Sequence, residues 1–304
     1  MSRDNPLYGA IEAGGTKFVC ALGRADGTLI AESRWPTTDP ASTRAAMVKF
    51  LQQGSDQHGV LSGIGIASFG PLVLERRSAQ YGFIGKTPKP GWSHVDMLGA
   101  VRGAFACPLG FDTDVNAAAL AEHRWGTGRD VADLVYITVG TGIGAGVLVN
   151  GIPLHGLMHP EIGHLFVRRH ALDTEFSGVC PFHGDCLEGL ASGPAIMKRS
   201  GCELSSLSAD HPQWTLQADY LAQLCATLVL TVSPRRIILG GGVMSCLGLF
   251  PLIQRRMLHW LAGYVDHTEL LLHTDRYIVA PGLGQRAGVL GALSLAMSAS
   301  ASLT

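Results

Sequence analysis

Cys180, His183 and Cys186 form a Cys-x2-His-x2-Cys arrangement, and His164 stands ahead of them in the segment His159-Pro-Glu-Ile-Gly-His164. Two thiolates and two imidazoles are a donor set that tetrahedral zinc accepts, with three ligands on one tight loop and His164 as the fourth. Glu161 and Glu188 flank this set, so the stretch joins a metal site to two carboxylates. The competing reading is a Cys180–Cys186 disulfide. The seven cysteines are odd in number, the other five are scattered, and no export signal is recognisable, which favours a reducing compartment and a metal.

Two further stretches carry groups suited to polyphosphate. Gly14-Gly15-Thr16, followed by Lys17, and Gly140-Thr141-Gly142 each sit where one strand turns into the next. Backbone N–H groups of such turns converge on an anion with no side chain in the way. A single copy reads as an ordinary hairpin, whereas two copies in matching contexts point to a nucleotide cleft. Neither has the spacing of a Walker loop or of a dinucleotide-binding Gly-x-Gly-x-x-Gly turn. Gly240-Gly241-Gly242 follows an apolar strand, Arg236–Leu239, and offers backbone for a flat group such as a purine; alone it reads as a strand-to-helix turn. In Asp112-Thr113-Asp114, just before the Ala-rich run from Ala117 to Ala121, either aspartate taken alone reads as a helix cap.

These groups need a scaffold, and the rest of the chain describes one. With 47% hydrophobic and 15% charged residues over 304 positions, the chain suits two packed domains rather than disorder. A formal net charge of -1 and the lack of a basic run disfavour nucleic acid and anionic lipid as partners. The apolar windows Leu224–Val232 and Gly288–Met297 are too short or too interrupted to span a bilayer and read as buried helices. Glu12 breaks the first apolar stretch, so no secretory core forms and the cytoplasm is the expected location.

The opening reads as a β-meander: Tyr8–Ala13, Lys17–Leu22 and Thr28–Trp35. Asp133–Val139, Ala145–Val149 and the Asn150-Gly151 turn repeat that unit. Helices are expected over about Ser42–Gly54 and Asp96–Phe105 and from near Asn116, with a buried strand at Gly63–Ser68. Alternating strands and helices make this an α/β chain of two similar halves around a cleft. The expected division is 1–113 for a smaller N-terminal domain and 114–284 for a larger one bearing the zinc loop. The last helix, about 285–304, is expected to pack back on the first half.

The chain resembles the ROK sugar kinases, which share the actin-like ATPase fold of hexokinases. The resemblance runs through Glu12-Ala-Gly-Gly-Thr16, Gly63-Ile-Gly-Ile-Ala-Ser-Phe-Gly-Pro71, Asp112-Thr-Asp-Val-Asn-Ala-Ala117, Thr138-Val-Gly-Thr-Gly-Ile-Gly-Ala-Gly146, Glu161-Ile-Gly-His164, Cys186-Leu-Glu188 and Leu239-Gly-Gly-Gly-Val-Met244. Ala67–Pro71, Thr87–Trp92 and the Cys180–Cys186 loop look like the fructokinase branch.

This resemblance implies an ATP-dependent hexose kinase, with D-fructose as the expected sugar and fructose 6-phosphate as product. It implies Asp114 as general base, and Thr113, Glu161, His164 and Glu188 at the sugar. Gly14, Gly15, Thr16, Lys17, Gly140, Thr141 and Gly142 would then hold ATP phosphates, and Gly240, Gly241 and Gly242 the adenosine side. Mg²⁺ is implied near Glu12, zinc at His164, Cys180, His183 and Cys186, and a homodimer as the assembly.

Three positions depart from the wider family pattern. Glu12 stands in place of Asp, Thr113 in place of Asn, and Cys-Pro-Phe-His in place of Cys-x-Cys-Gly, which exchanges one zinc thiolate for an imidazole. Glucokinase and N-acylmannosamine kinase are the alternatives within the family. DNA-binding repressors of the family carry a winged helix ahead of the first phosphate loop, and only eleven residues precede Glu12, so repression is not expected. A non-turnover sugar sensor would be expected to lose the base or a phosphate loop, and both are present.

Overall fold

The computed structural model describes residues 5–301; the last three positions of the expected C-terminal helix lie outside the described residues. The chain begins with β1 (Leu7–Ala13), β2 (Lys17–Gly23) and β3 (Leu29–Pro36), then α1 (Pro40–His58), β4 (Leu61–Ser68), α2 (Met97–Arg102), β5 (Leu109–Thr113) and α3 (Asp114–Trp125). It continues with β6 (Leu134–Val139), β7 (Ile143–Val149), the two-residue β8 (Ile152–Pro153), α4 (Leu187–Ala191), α5 (Gly193–Ser200) and α6 (Pro212–Thr231). β9 (Arg236–Gly240), α7 (Leu249–Leu261), α8 (Thr268–Leu272), α9 (Thr274–Tyr277), β10 (Ile278–Val279) and a C-terminal helix (Ala287–Ala301) complete it.

Two five-stranded sheets have the orders β3-β2-β1-β4-β5 and β10-β9-β6-β7-β8. Read from the other edge, the second is β8-β7-β6-β9-β10, the same connectivity as the first. In each, a strand pairs antiparallel with its successor (β1 with β2, β6 with β7) and parallel with a later strand (β1 with β4, β6 with β9).

The chain divides into two compact units. One holds the residues up to Gly126, Ile152–His159 and the residues from Gln285; the other holds Thr127–Gly151 and Pro160–Gly284. α3 belongs to the first unit because the C-terminal helix packs on α3, β4 and β1. That packing is close enough to require glycine. A Cβ on Gly65 in β4 would fall 1.9 Å from the Ala292 carbonyl oxygen.

The core of the first unit is built from Ile11, Phe18, Leu22, Met47, Leu51, Ile64, Ile66 and Trp92. α1 enters it through an Asp39 cap, whose carboxylate accepts the Ser42 N–H at 2.9 Å, followed by Pro40 at the first turn. The core of the second unit gathers Val135, Ile137, Val147, Leu190, Leu221, Leu224, Ile237, Leu239 and Ile253. α6 is much longer than the apolar window Leu224–Val232. Its stretch from Gln213 to Gln223 buries Gln213, Gln217, Asp219 and Gln223, polar side chains that hydropathy counts against a core helix. Among the described residues no helix is long and apolar enough to cross a membrane.

Candidate active site and metal centre

In the first unit the parallel register Ala13↔Ser68 and Ser68↔Thr113 aligns the C-terminal ends of β1, β4 and β5. With strands about 4.8 Å apart, the turn after β1 and the start of α3 emerge roughly 10 Å from each other along one sheet edge. Ligands bind at such carboxyl edges in open α/β sheets. The turn after β1 is closed by the Gly14 N–H donating to the Lys17 carbonyl at 3.0 Å. Thr37 holds it from outside, its hydroxyl donating to the Gly14 carbonyl at 2.7 Å. Gly15, Thr16 and Lys17 are exposed. Glu12, one strand residue before Ala13, has its carboxyl raised above the usual value by burial, with Lys17 and Arg34 acting in the opposite sense.

At the start of α3 the cap is neither aspartate. Thr113 Oγ1 accepts the Asn116 N–H at 3.1 Å, which makes Thr113 the N-cap. Asp114 occupies the first helical position, its Oδ1 accepting the Val115 N–H at 2.9 Å. Asp112 is buried and accepts from the Thr113 N–H at 2.7 Å and from Asn116 Nδ2 at 2.8 Å. His155 Nε2 lies 3.0 Å from the other Asp112 oxygen, and this partnership raises the imidazole pKa. Sequence reasoning missed His155. Nothing near it in the chain marks it, because its partner lies 43 positions away.

In the second unit the ends of β6 and β9 are in register, Thr138 beside Gly240, so the Gly140–Gly142 and Gly240–Gly242 turns leave one sheet edge side by side. The Gly140 N–H donates to the Gly142 carbonyl at 2.9 Å, and the Gly193 N–H at the start of α5 donates to the Gly140 carbonyl at 2.7 Å. Glu188, in the first turn of α4, accepts the Ile143 N–H at 2.9 Å. Gly142 leaves room for this carboxylate, since a Cβ there would fall 2.6 Å from Glu188 Oε2 as it stands. The Glu161 carboxyl is raised above its usual value, first by desolvation and then by the nearby Glu188 charge. The second unit therefore joins the Gly140–Gly142 turn, two neighbouring carboxylates and the His/Cys cluster in one folded body.

In that cluster the ligand atoms of His164, Cys180, His183 and Cys186 all lie within 4.8 Å of one another. Reciprocal backbone bonds between Cys180 and Gly184, 3.1 and 3.0 Å, fold the loop into a tight knuckle. His164 ends a short helical turn, and Cys186 is the N-cap residue immediately before α4. Nδ1 of His164 is 3.8 Å from Cys180 Sγ and 3.5 Å from Cys186 Sγ, and Nδ1 of His183 is 3.7 Å from Cys180 Sγ. A tetrahedral zinc with bonds of about 2.3 Å to sulfur and about 2.1 Å to nitrogen sets S···N edges of about 3.6 Å, so the donor set fits the ion in chemistry and spacing. Burial pushes the Cys186 thiol up to about 11, with Cys180 and Glu188 adding to the rise. An acidic proton donor it is not, and a cation is the natural means of holding it as thiolate.

The match to known proteins is extensive. Residues 8–299 fit the sequence model of the ROK family. The chain belongs to the ROK family. A putative fructokinase of Bacillus subtilis is 46% identical over 293 residues, covering 96% of each chain. The fructokinase of Zymomonas mobilis is 44% identical over 302 residues, covering 98% of this chain and 99% of its own. Among solved structures, a ROK hexokinase from Thermus thermophilus superposes with a TM-score of 0.78 at 24% identity, covering 96% of this chain and 98% of its own. The fold is thus the actin-like ATPase fold of ROK hexokinases and glucokinases. Of the ROK-like motifs, those at Gly14–Lys17, Thr113 and Asp114 stand on the first unit's sheet edge. Those at Gly140–Gly142, Glu161, His164, Glu188 and Gly240–Gly242 belong to the second unit.

Proposed function

We propose that the protein is an ATP-dependent fructokinase that transfers the γ-phosphoryl group to the 6-hydroxyl of D-fructose. The observation that carries this reading is the near full-length identity of 38–46% to fructokinases and a putative fructokinase from five bacteria. Relatives named for N-acetylmannosamine or glucose lie much further away, at 28% and 26%.

In this reading Asp114 takes the proton of the 6-hydroxyl as the O6–P bond forms, the bond from phosphorus to the β,γ-bridging oxygen breaks, and ADP leaves. Glu161, Glu188 and Nε2 of His164 take sugar hydroxyls, with Thr113 beside the base. The Nδ1 atoms of both histidines face the sulfurs, which leaves Nε2 of His164 for the substrate. Gly14–Lys17 and Gly140–Gly142 receive the phosphates, and Gly240–Gly242 the adenosine side.

Mg²⁺ takes oxygen ligands, commonly one or two carboxylates with substrate phosphates, and Glu12 beside the first phosphate turn offers such a group. Held there with ATP, Mg²⁺ would supply positive charge against that developing on the phosphoryl oxygens. Zinc at His164, Cys180, His183 and Cys186 is structural, because four protein ligands leave no open position for a reactive water. A homodimer and a cytoplasmic location complete the proposal.

An ADP-coupled assay with Mg-ATP over fructose, mannose, glucose and N-acetylmannosamine tests it. Fructose is expected to give the highest kcat/KM. A higher value for glucose or N-acetylmannosamine refutes the sugar assignment, and transfer to no hexose refutes the kinase in favour of a sensor.

A further inference from the structure

Glu12 is a carboxylate on β1 whose strand neighbours, Ile11 and Ala13, are fully buried. Its register partners are Val19 on β2 and Ala67 on β4, so its backbone is fixed from both sides. What remains free to vary is the side chain's reach. That reach ends at Gly288, the second residue of the C-terminal helix. A Cβ built on Gly288 would lie 2.4 Å from Glu12 Cδ, 2.5 Å from Oε1 and 2.8 Å from Oε2. All three are far inside van der Waals contact, and the nearest atoms all belong to this one carboxylate.

We propose that Gly288 is a positioning residue for Glu12: the missing side chain on the C-terminal helix is the space that lets a glutamate, rather than an aspartate, present its carboxylate beside the first phosphate turn. The inference rests on the kinase reading for the use of that carboxylate with Mg-ATP. It goes beyond that reading in coupling a residue in the C-terminal helix to one near the start of the chain.

The chemistry makes the coupling testable. Gly288→Ala meets the far end of a flexible side chain rather than backbone, so the fold can absorb it, and alanine is the better helix former. The same methyl cannot coexist with the observed carboxylate position. Glu12→Asp withdraws the carboxylate by one methylene and removes the conflict. The two substitutions therefore compensate each other, which a general loss of packing would not produce.

The experiment compares wild type, Gly288→Ala, Glu12→Asp and the double variant by titration calorimetry with ATP, with and without Mg²⁺, alongside thermal melting and fructokinase kinetics. Gly288→Ala is expected to keep its Tm and to lose about tenfold or more of the Mg²⁺-dependent gain in ATP affinity, the scale on which groups supporting a metal act. The double variant is expected to recover at least about half of that loss on a logarithmic scale. Gly288→Ala binding Mg-ATP as wild type does, or a double variant no better than Gly288→Ala, would overturn the inference. So would a fall in Tm that Glu12→Asp does not relieve, since the methyl would then be clashing with something else. A wild-type protein that binds Mg-ATP but phosphorylates no hexose defeats the kinase reading and leaves the Glu12–Gly288 coupling standing.

Discussion

Asp114→Asn separates a catalytic role from a structural one at the start of α3. The helix is capped by Thr113, so the asparagine inherits no capping duty, and its side-chain oxygen can still accept the Val115 N–H that Asp114 accepts at 2.9 Å. The structural loss is then the negative charge at a helix N-terminus, worth about 0.3–1 kcal/mol. The loss expected of the proposed general base is far larger. Removing a general base lowers kcat by roughly 10²- to 10⁴-fold, which is about 2.7–5.5 kcal/mol of transition-state stabilisation.

The two effects differ enough to be read independently. Steady-state rates at saturating fructose and Mg-ATP should collapse, while Tm shifts by a few degrees at most and the fructose KM changes little. Thr113→Ala is the reciprocal control: loss of the cap costs about 1 kcal/mol of stability and should leave much more of kcat. An Asp114→Asn protein that is folded and retains near wild-type kcat would falsify the assignment of the base.

Three other outcomes are expected. Cys186→Ser removes one thiolate of the proposed zinc site and should weaken metal retention by at least about tenfold; because Cys186 immediately precedes α4 and Glu188 lies in its first turn, sugar affinity should fall with the metal. Elemental analysis beside a fructose titration checks this, and a metal-free protein with full sugar affinity refutes it. His155 donates to Asp112, which raises its folded pKa above the unfolded value of about 6.5. Its stabilisation is therefore complete below that pH and fades as pH rises through the folded value, so the Tm gap between wild type and His155→Gln should shrink from acid to alkaline pH; a constant gap refutes the pairing. Arg199→Met leaves buried Asp173 without the guanidinium that bonds both its oxygens at 2.9 and 3.0 Å, and chemical denaturation should show a loss of about 3–5 kcal/mol; a loss below about 1 kcal/mol would mean that Tyr220, also bonded to Asp173, satisfies it alone.

How far the site was legible depended on how local its chemistry is. His164, Cys180, His183 and Cys186 could be picked out because three of the four lie on one seven-residue loop, and donor type with spacing is the signal that metal chemistry requires. The two glycine turns were equally visible as turns, since a glycine cluster between two apolar strands is a local mark. The start of α3 was less so. Asp112 and Asp114 read as caps by residue type, yet Thr113 between them holds the Asn116 N–H, because Asp112 is buried below the turn and bonded to Asn116 Nδ2 and His155 instead.

Polar burial explains the remaining failures. The part of α6 up to Gln223 was not recognisable by hydropathy, because Gln217, Asp219 and Gln223 are buried against partners that no local pattern announces. Gln217 bonds the Ala191 carbonyl, Asp219 is held by Arg256 and Trp260, and Gln223 brackets the Arg168 backbone through both ends of its amide. Each bond offsets a desolvation cost that a hydropathy scale charges in full. The same reasoning covers Gly288. In the sequence it is one weak residue in an apolar helix, and only the fold brings it against a carboxylate 276 positions earlier. Residues whose role depends on a distant partner are invisible to spacing, whatever their chemistry. They are also the residues for which substitution in pairs, as with Glu12 and Gly288, separates a specific contact from a general loss of packing.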